Sequence, residues 1–104
     1  MVLKAALSFL ITGVLFSACT STPPVNADGS PDAERLYTIH CAACHKADGT
    51  GGISGAKNLV ITQLNASEIE KVIAKGQGDM MPFESILKPE EIEAVAAFVH
   101  DFKF

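Results

Sequence analysis

The sequence has no tryptophan, a single tyrosine (Tyr37) and a single arginine (Arg35) among its 104 residues. It therefore carries few of the side chains that dominate protein–protein hot spots. Basic residues are also scarce, 8 Lys and Arg against 12 Asp and Glu, for a formal charge of −4. That balance excludes the basic face needed by a binder of nucleic acid or of an anionic membrane. Cysteine occurs three times, an odd number that excludes a simple disulfide framework. Strand signals are almost lacking: only Leu59-Val60-Ile61 could form one, and it has no evident partner. The length allows one small domain, which excludes a doubly wound α/β enzyme, a TIM barrel or a two-domain architecture.

A targeting segment comes first. Lys4 precedes an apolar run from Ala5 to Phe16, broken by Ser8, Thr12 and Gly13, and Ser17-Ala18-Cys19 follows. A basic start, a short apolar stretch and small residues before a cut are the pattern of an export signal. The run is shorter than the roughly 20 residues that span a bilayer, although a short anchor or a buried helix is the competing reading. Phe16-Ser17-Ala18-Cys19 resembles a bacterial lipobox, in which the cysteine is lipidated and becomes the mature N-terminus. Phe16 stands where leucine is usual, so plain cleavage near Ala18 is the alternative. Lipidation at Cys19 accounts for the odd cysteine, and Thr20 after it resembles outer-membrane sorting where a cell has two membranes. The expected organisation is a signal peptide over 1–18, a lipidated N-terminus with a flexible tether over 19–30, and a folded domain over 31–104. Loss of Lys4 with the signal leaves seven basic and twelve acidic residues, a charge of −5. The tether reading rests on Thr20 to Pro31, which shows no periodicity and too little apolar surface to order itself.

Three helices are predicted in the remainder. Ser30-Pro31 offers an N-cap before a proline at the first helical position. Ala33, Leu36, Tyr37 and His40 then share one face of a helix over 31–44. Glycines at 49, 51, 52 and 55 mark a loop. That loop is not G-x-G-x-x-G and follows no strand, so phosphate binding is not indicated. Glycines there let the backbone lie close to a bound group. Asn65-Ala66-Ser67-Glu68 is a capping-box pattern opening a second helix. Ile69, Val72 and Ile73 are its buried stripe, and Lys75-Gly76 ends it. The last helix opens at Pro89 with Glu90 and Glu91 in its first turn. Ile92, Val95, Ala96 and Val99 form its face, widened by Phe98 and Phe102. A domain of this size has a thin core and usually needs a staple.

Cys41-Ala42-Ala43-Cys44-His45 supplies one. Two thiols separated by two residues can add to the two vinyl groups of one haem, and the adjacent imidazole can ligate its iron; the pentad reads as a c-type haem attachment site. A thioredoxin-like redox pair would need a βαβ context, and a zinc site would need a second ligand pair. Export agrees with the haem reading, because haem attachment belongs to the extracytoplasmic side. The candidates for a sixth ligand are Met80, Met81, His40 and His100. Met81-Pro82 follows a non-helical loop, Gly76-Gln77-Gly78-Asp79, which frees its side chain to reach inward; Met80 is the next candidate. His100 reads as a surface residue. His40 shares the face of Leu36 and Tyr37, too near Cys41 to reach the far side of the iron.

Cys41-Ala-Ala-Cys-His45, the Lys46-Ala-Asp-Gly-Thr-Gly51 that follows, Met81-Pro82-Phe83 and Pro89-Glu-Glu-Ile-Glu-Ala-Val-Ala-Ala-Phe-Val99 together resemble small bacterial class I cytochromes c, across essentially all of 31–104. The resemblance implies an all-α class I fold with three main helices around one covalently bound haem c. It implies thioether links at Cys41 and Cys44, and axial iron ligation by His45 and Met81, the methionine immediately before the proline. It also implies that the first and last helices cross, with Ala33 and Tyr37 against Val95 and Phe98. Many family members have a proline before Asn-Leu whose carbonyl accepts from the proximal histidine. Here Lys57 precedes Asn58-Leu59, and its backbone carbonyl can take the same role.

The function implied is a membrane-tethered one-electron carrier, not an enzyme, exported and facing the periplasm or cell exterior. Its expected partners are redox proteins presenting a basic patch near the haem edge, and the membrane through Cys19. Neither nucleic acid nor a small-molecule substrate is expected. The alternatives are a haem sensor or catalyst with a labile sixth ligand, for which no acid–base pair is apparent, or a fixed haem subunit of a respiratory or photosynthetic complex.

Overall fold

The computed structural model describes residues 13–15, 17–19 and 21–102. Most of the expected signal segment lies outside the described residues. Among the described residues no helix is long and apolar enough to cross a membrane. The described chain is helical, with no strand beyond two isolated bridges, Val25–Pro31 and Gln77–Met80. Leu59 to Ile61 forms a turn, not a strand.

Helix α1 spans Ala33–His40 and is capped by Asp32, whose side chain accepts from the Arg35 N–H at 3.0 Å. The sequence pattern points instead to Ser30 as the cap. Ser30 is used differently: its N–H and hydroxyl both donate to Asp28 Oδ1, at 2.9 and 2.6 Å. Its carbonyl accepts from the Asn26 N–H at 2.8 Å. Together with the Asn26 amide on the Pro31 carbonyl, these bonds close residues 24–32 into a turn that delivers the chain to α1. Residues 24–31, within the stretch expected to be structureless, are therefore organised locally, through polar side chains bonding to nearby backbone and without an apolar core.

The helix expected over 31–44 is interrupted at Cys41, where φ stretches to −119°. The single turn α2, Ala42–His45, follows. In α1, Thr38 Oγ1 bonds back to the Glu34 carbonyl at 2.9 Å, a contact that bends helices. A 3-10 turn over Ile53–Gly55 lies within the glycine-rich loop. Helix α3, Ala66–Lys75, has the reciprocal capping box: Glu68 N–H to Asn65 Oδ1 at 2.9 Å and Asn65 N–H to Glu68 Oε2 at 2.8 Å. Helix α4, Pro89–His100, starts at its proline, and Glu91 Oε2 accepts from the Lys88 N–H at 2.8 Å.

The core forms where α4 packs along α3 and crosses α1. Leu36, Tyr37 and Val95 are fully buried. Tyr37, Phe98 and Phe102 form a cluster with ring centroids 5.0 to 5.5 Å apart, Phe102 meeting both other rings edge-on, a geometry favoured by aromatic quadrupoles. Tyr37 and Phe98 thus meet at the α1–α4 crossing as the resemblance implied. Phe102, placed by sequence at the edge of a face, completes the cluster from just beyond α4. This crossing holds the C-terminal end of α1, and therefore Cys41, against the core.

Candidate functional site

The site begins where α1 ends. Cys41 is half-buried against the core, and Cys44, one turn later, is exposed. Burial, and secondarily Cys44 beside it, pushes the Cys41 thiol up to about 11. Redox Cys-x-x-Cys pairs work through a depressed pKa, so this environment opposes a thioredoxin-like role. Among the described residues no group of three or more His, Cys, Asp or Glu side chains is arranged to hold a metal ion.

His45 ends α2, and its Nδ1 lies 2.9 Å from the Lys57 carbonyl. With Nδ1 donating there, Nε2 is the nitrogen left to act as a ligand. The carbonyl is brought into place by a network of backbone bonds across the glycine-rich loop. The Gly51 N–H reaches the His45 carbonyl at 2.9 Å, and the Leu59 N–H reaches the Gly49 carbonyl at 2.7 Å. Gly51 is buried at φ +71°, and a Cβ there would collide with the Lys57 carbonyl and lie 2.6 Å from that of Ala56. Glycine at 51 is thus what lets the 56–57 backbone approach the histidine.

The methionine loop is built as tightly. Gly76 ends α3 at φ +73°, and a Cβ on it would sit 2.5 Å from the Met80 carbonyl and 2.9 Å from Pro82 N. Gln77 and Met80 exchange backbone bonds at 3.1 and 3.0 Å, and the Phe83 N–H returns to the Ile73 carbonyl at 2.9 Å. The loop is non-helical, as the sequence pattern indicates, and its backbone is clamped onto the end of α3. Its side chains divide: Met80 packs on the core, whereas Met81 is 53% exposed. His40 and Phe83 meet edge-on with ring centroids 6.0 Å apart, which places the methionine segment beside the end of α1. His40 is thereby occupied in packing. His100 lies 3.7 Å from Asp101 on the last turn of α4, partly exposed.

These groups fit a covalently bound haem. Two thiols one helical turn apart and an imidazole oriented through Nδ1 provide the donor set. Large apolar side chains on the loops that follow the motif in the chain, Ile53, Ile61 and Met81, keep much of their surface exposed. In a domain with so thin a core, that surface suits a flat apolar group. Sequence reasoning missed one participant, Tyr37, whose buried hydroxyl donates to the Lys46 carbonyl at 2.6 Å. Its place on the apolar face of α1 signalled packing, and nothing local signalled the bond nine residues away.

Residues 30–99 match the family model described as cytochrome C oxidase, cbb3-type, subunit III. A cytochrome c6-like protein of Nostoc sp. (strain PCC 7120) is 32% identical over 99 residues, covering 89% of this chain and 88% of its own. Among solved structures, the c-type cytochrome KustC0563 superposes with a TM-score of 0.64 at 32% identity, covering 70% of this chain and 99% of that one. Cytochrome c6 of the diatom Phaeodactylum tricornutum superposes with a TM-score of 0.57 at 32% identity, covering 65% and 86%. The chain belongs to the small class I c-type cytochromes, all-α electron carriers, not enzymes, with one covalently bound haem c.

Proposed function

We propose that Cys41 and Cys44 hold the haem through thioethers, that His45 Nε2 and the Met81 sulfur are its axial ligands, and that the protein shuttles single electrons at a membrane surface. The observation that carries this is the His45–Lys57 hydrogen bond of 2.9 Å inside a Cys-x-x-Cys-His motif, since such a bond fixes the tautomer and ring orientation of a ligating histidine. Met81 is favoured over Met80 by its place immediately before Pro82 and by its exposure, whereas Met80 packs on the core.

The haem supplies reversible one-electron chemistry, with its potential set by the axial ligands and burial. The protein supplies the rest. His45 is held rigid by the 49–59 loop and Met81 by the end of α3, so both ligands keep their places through a redox cycle and little reorganisation accompanies it. Lipidation at Cys19, which is exposed, would hold the domain near membrane oxidoreductases and raise its effective concentration for them. In this reading the domain faces the periplasm or cell exterior. A charge of −5 after signal removal favours partners with a basic patch.

The test is an absorption spectrum and redox titration of the purified protein and its Met81→Ala variant. A six-coordinate spectrum in the parent, and carbon monoxide binding on reduction only in the variant, support the reading. Binding by the parent supports the sensor alternative instead. The match to a model described as an oxidase subunit favours a second reading, a fixed haem subunit, which stable co-purification with an oxidase would support.

A further inference from the structure

Tyr37 is 1% exposed and ringed by Phe98 and Phe102, yet its hydroxyl is not idle. It donates to the Lys46 carbonyl at 2.6 Å. Burial foremost, then Cys41 and Asp48 nearby, pushes this hydroxyl up to about 12, so it remains a donor at any ordinary pH. Lys46 is the residue after His45, and its backbone is unusual: φ 64°, ψ 163°. Residues with a Cβ hold that nearly glycine-only region when the surroundings over-determine it. The surroundings are the Lys46 N–H on the Ala42 carbonyl at 2.9 Å, the Gly49 N–H on the Lys46 carbonyl at 3.2 Å, and Tyr37. From this turn the chain enters the loop whose bonds set Lys57 against His45.

We propose that Tyr37 is a positioning residue for His45. Anchored in the α1–α4 crossing, its hydroxyl holds Lys46 in a glycine-like turn, and that turn lets the His45 ring meet the Lys57 carbonyl. The link joins the fully buried α1–α4 crossing to the residue after the histidine through one side chain. The consequence for the haem rests on the reading of His45 as an iron ligand; the geometry of the turn does not.

The test uses the haem-loaded protein with Tyr37→Phe, Lys46→Gly and the double variant, followed by hydrogen exchange and by the reduction potential. Tyr37→Phe should speed exchange about tenfold at the Gly51 and Leu59 amides and at the His45 ring N–H, as expected for one lost hydrogen bond. It should shift the potential and leave the Gly76 amide, bonded to Val72 within the cap of α3, unchanged. In the Lys46→Gly background the same substitution should have an effect of less than about threefold, because glycine holds the turn unaided. Unchanged exchange at Gly51 and Leu59, acceleration extending equally to Gly76, or an undiminished effect in the Lys46→Gly background would each overturn the proposal. The expected amide changes without iron-shifted His45 resonances would refute the ligand reading while upholding the role of Tyr37.

Discussion

Gly51→Ala tests whether close backbone approach holds the histidine in place. The position is buried, has φ +71°, and a Cβ would run into the carbonyls of Lys57 and Ala56. Neither obstacle is a flexible side chain that could swing away. The left-handed backbone alone costs an alanine about 1–2 kcal/mol. Displacing the Lys57 carbonyl also breaks its bond to His45, about 1 kcal/mol more, so the total is about 2–3 kcal/mol before repacking. Gly52→Ala is the matched control. It too has positive φ, +97°, but a Cβ there meets nothing within 4 Å, so only the backbone cost of about 1–2 kcal/mol remains. The backbone cost is common to both, so a difference of about 1 kcal/mol remains, which for a domain of this size separates the two melting temperatures by roughly 4–8 °C. Thermal unfolding of the two haem-loaded variants, followed by circular dichroism, reads this directly. Equal melting temperatures would refute the reasoning, because backbone strain would then explain everything and the approach to Lys57 nothing.

Other outcomes follow from the same structure. Met81→Ala should leave the haem attached, lower its potential and open a coordination site, checked by titration and carbon monoxide binding; an unchanged potential would move the ligand elsewhere. Replacing both Cys41 and Cys44 with Ala should leave the domain largely unfolded, since the haem supplies much of a thin interior, and full helical circular dichroism would contradict this. Association with a basic redox partner should slow as salt increases; rates indifferent to ionic strength would remove the steering argument. The Asp48 carboxyl is held below the usual carboxylate range, first by the Thr50 hydroxyl and then by its N–H. A depressed folded pKa gives stability that is present above the ordinary carboxylate pKa and lost as pH falls through the lowered one. Asp48→Asn should therefore flatten the acid limb of a stability–pH curve, and an identical limb would count against it.

What could be read from the sequence was local or repeated a strong pattern. The capping box at Asn65 and Glu68, the stop at Gly76, the start at Pro89 and the Cys41–His45 pentad each depend on residues within a turn of one another. The crossing of Tyr37 with Phe98 came through resemblance, and the Lys57 carbonyl was foreseen although the usual proline is missing, because a backbone carbonyl exists whatever the side chain. Readings failed where several short-range options competed. Ser30 and Asp32 are both good caps; Asp32 takes the role, while Ser30 is engaged by Asp28 and Asn26. The break at Cys41 and the positive-φ turn at Lys46 are single-residue backbone departures at positions in contact with the core and with Tyr37, which no spacing encodes.

A cytochrome of this kind carries its haem covalently at one place in the chain. Intact mass of the protein from cells able to mature cytochromes, followed by mapping of its proteolytic peptides, tests it. The expected result is the chain plus a single haem, carried wholly on the peptide that contains Cys41 and Cys44. A bare chain, or a haem mapped to any other peptide, would contradict it.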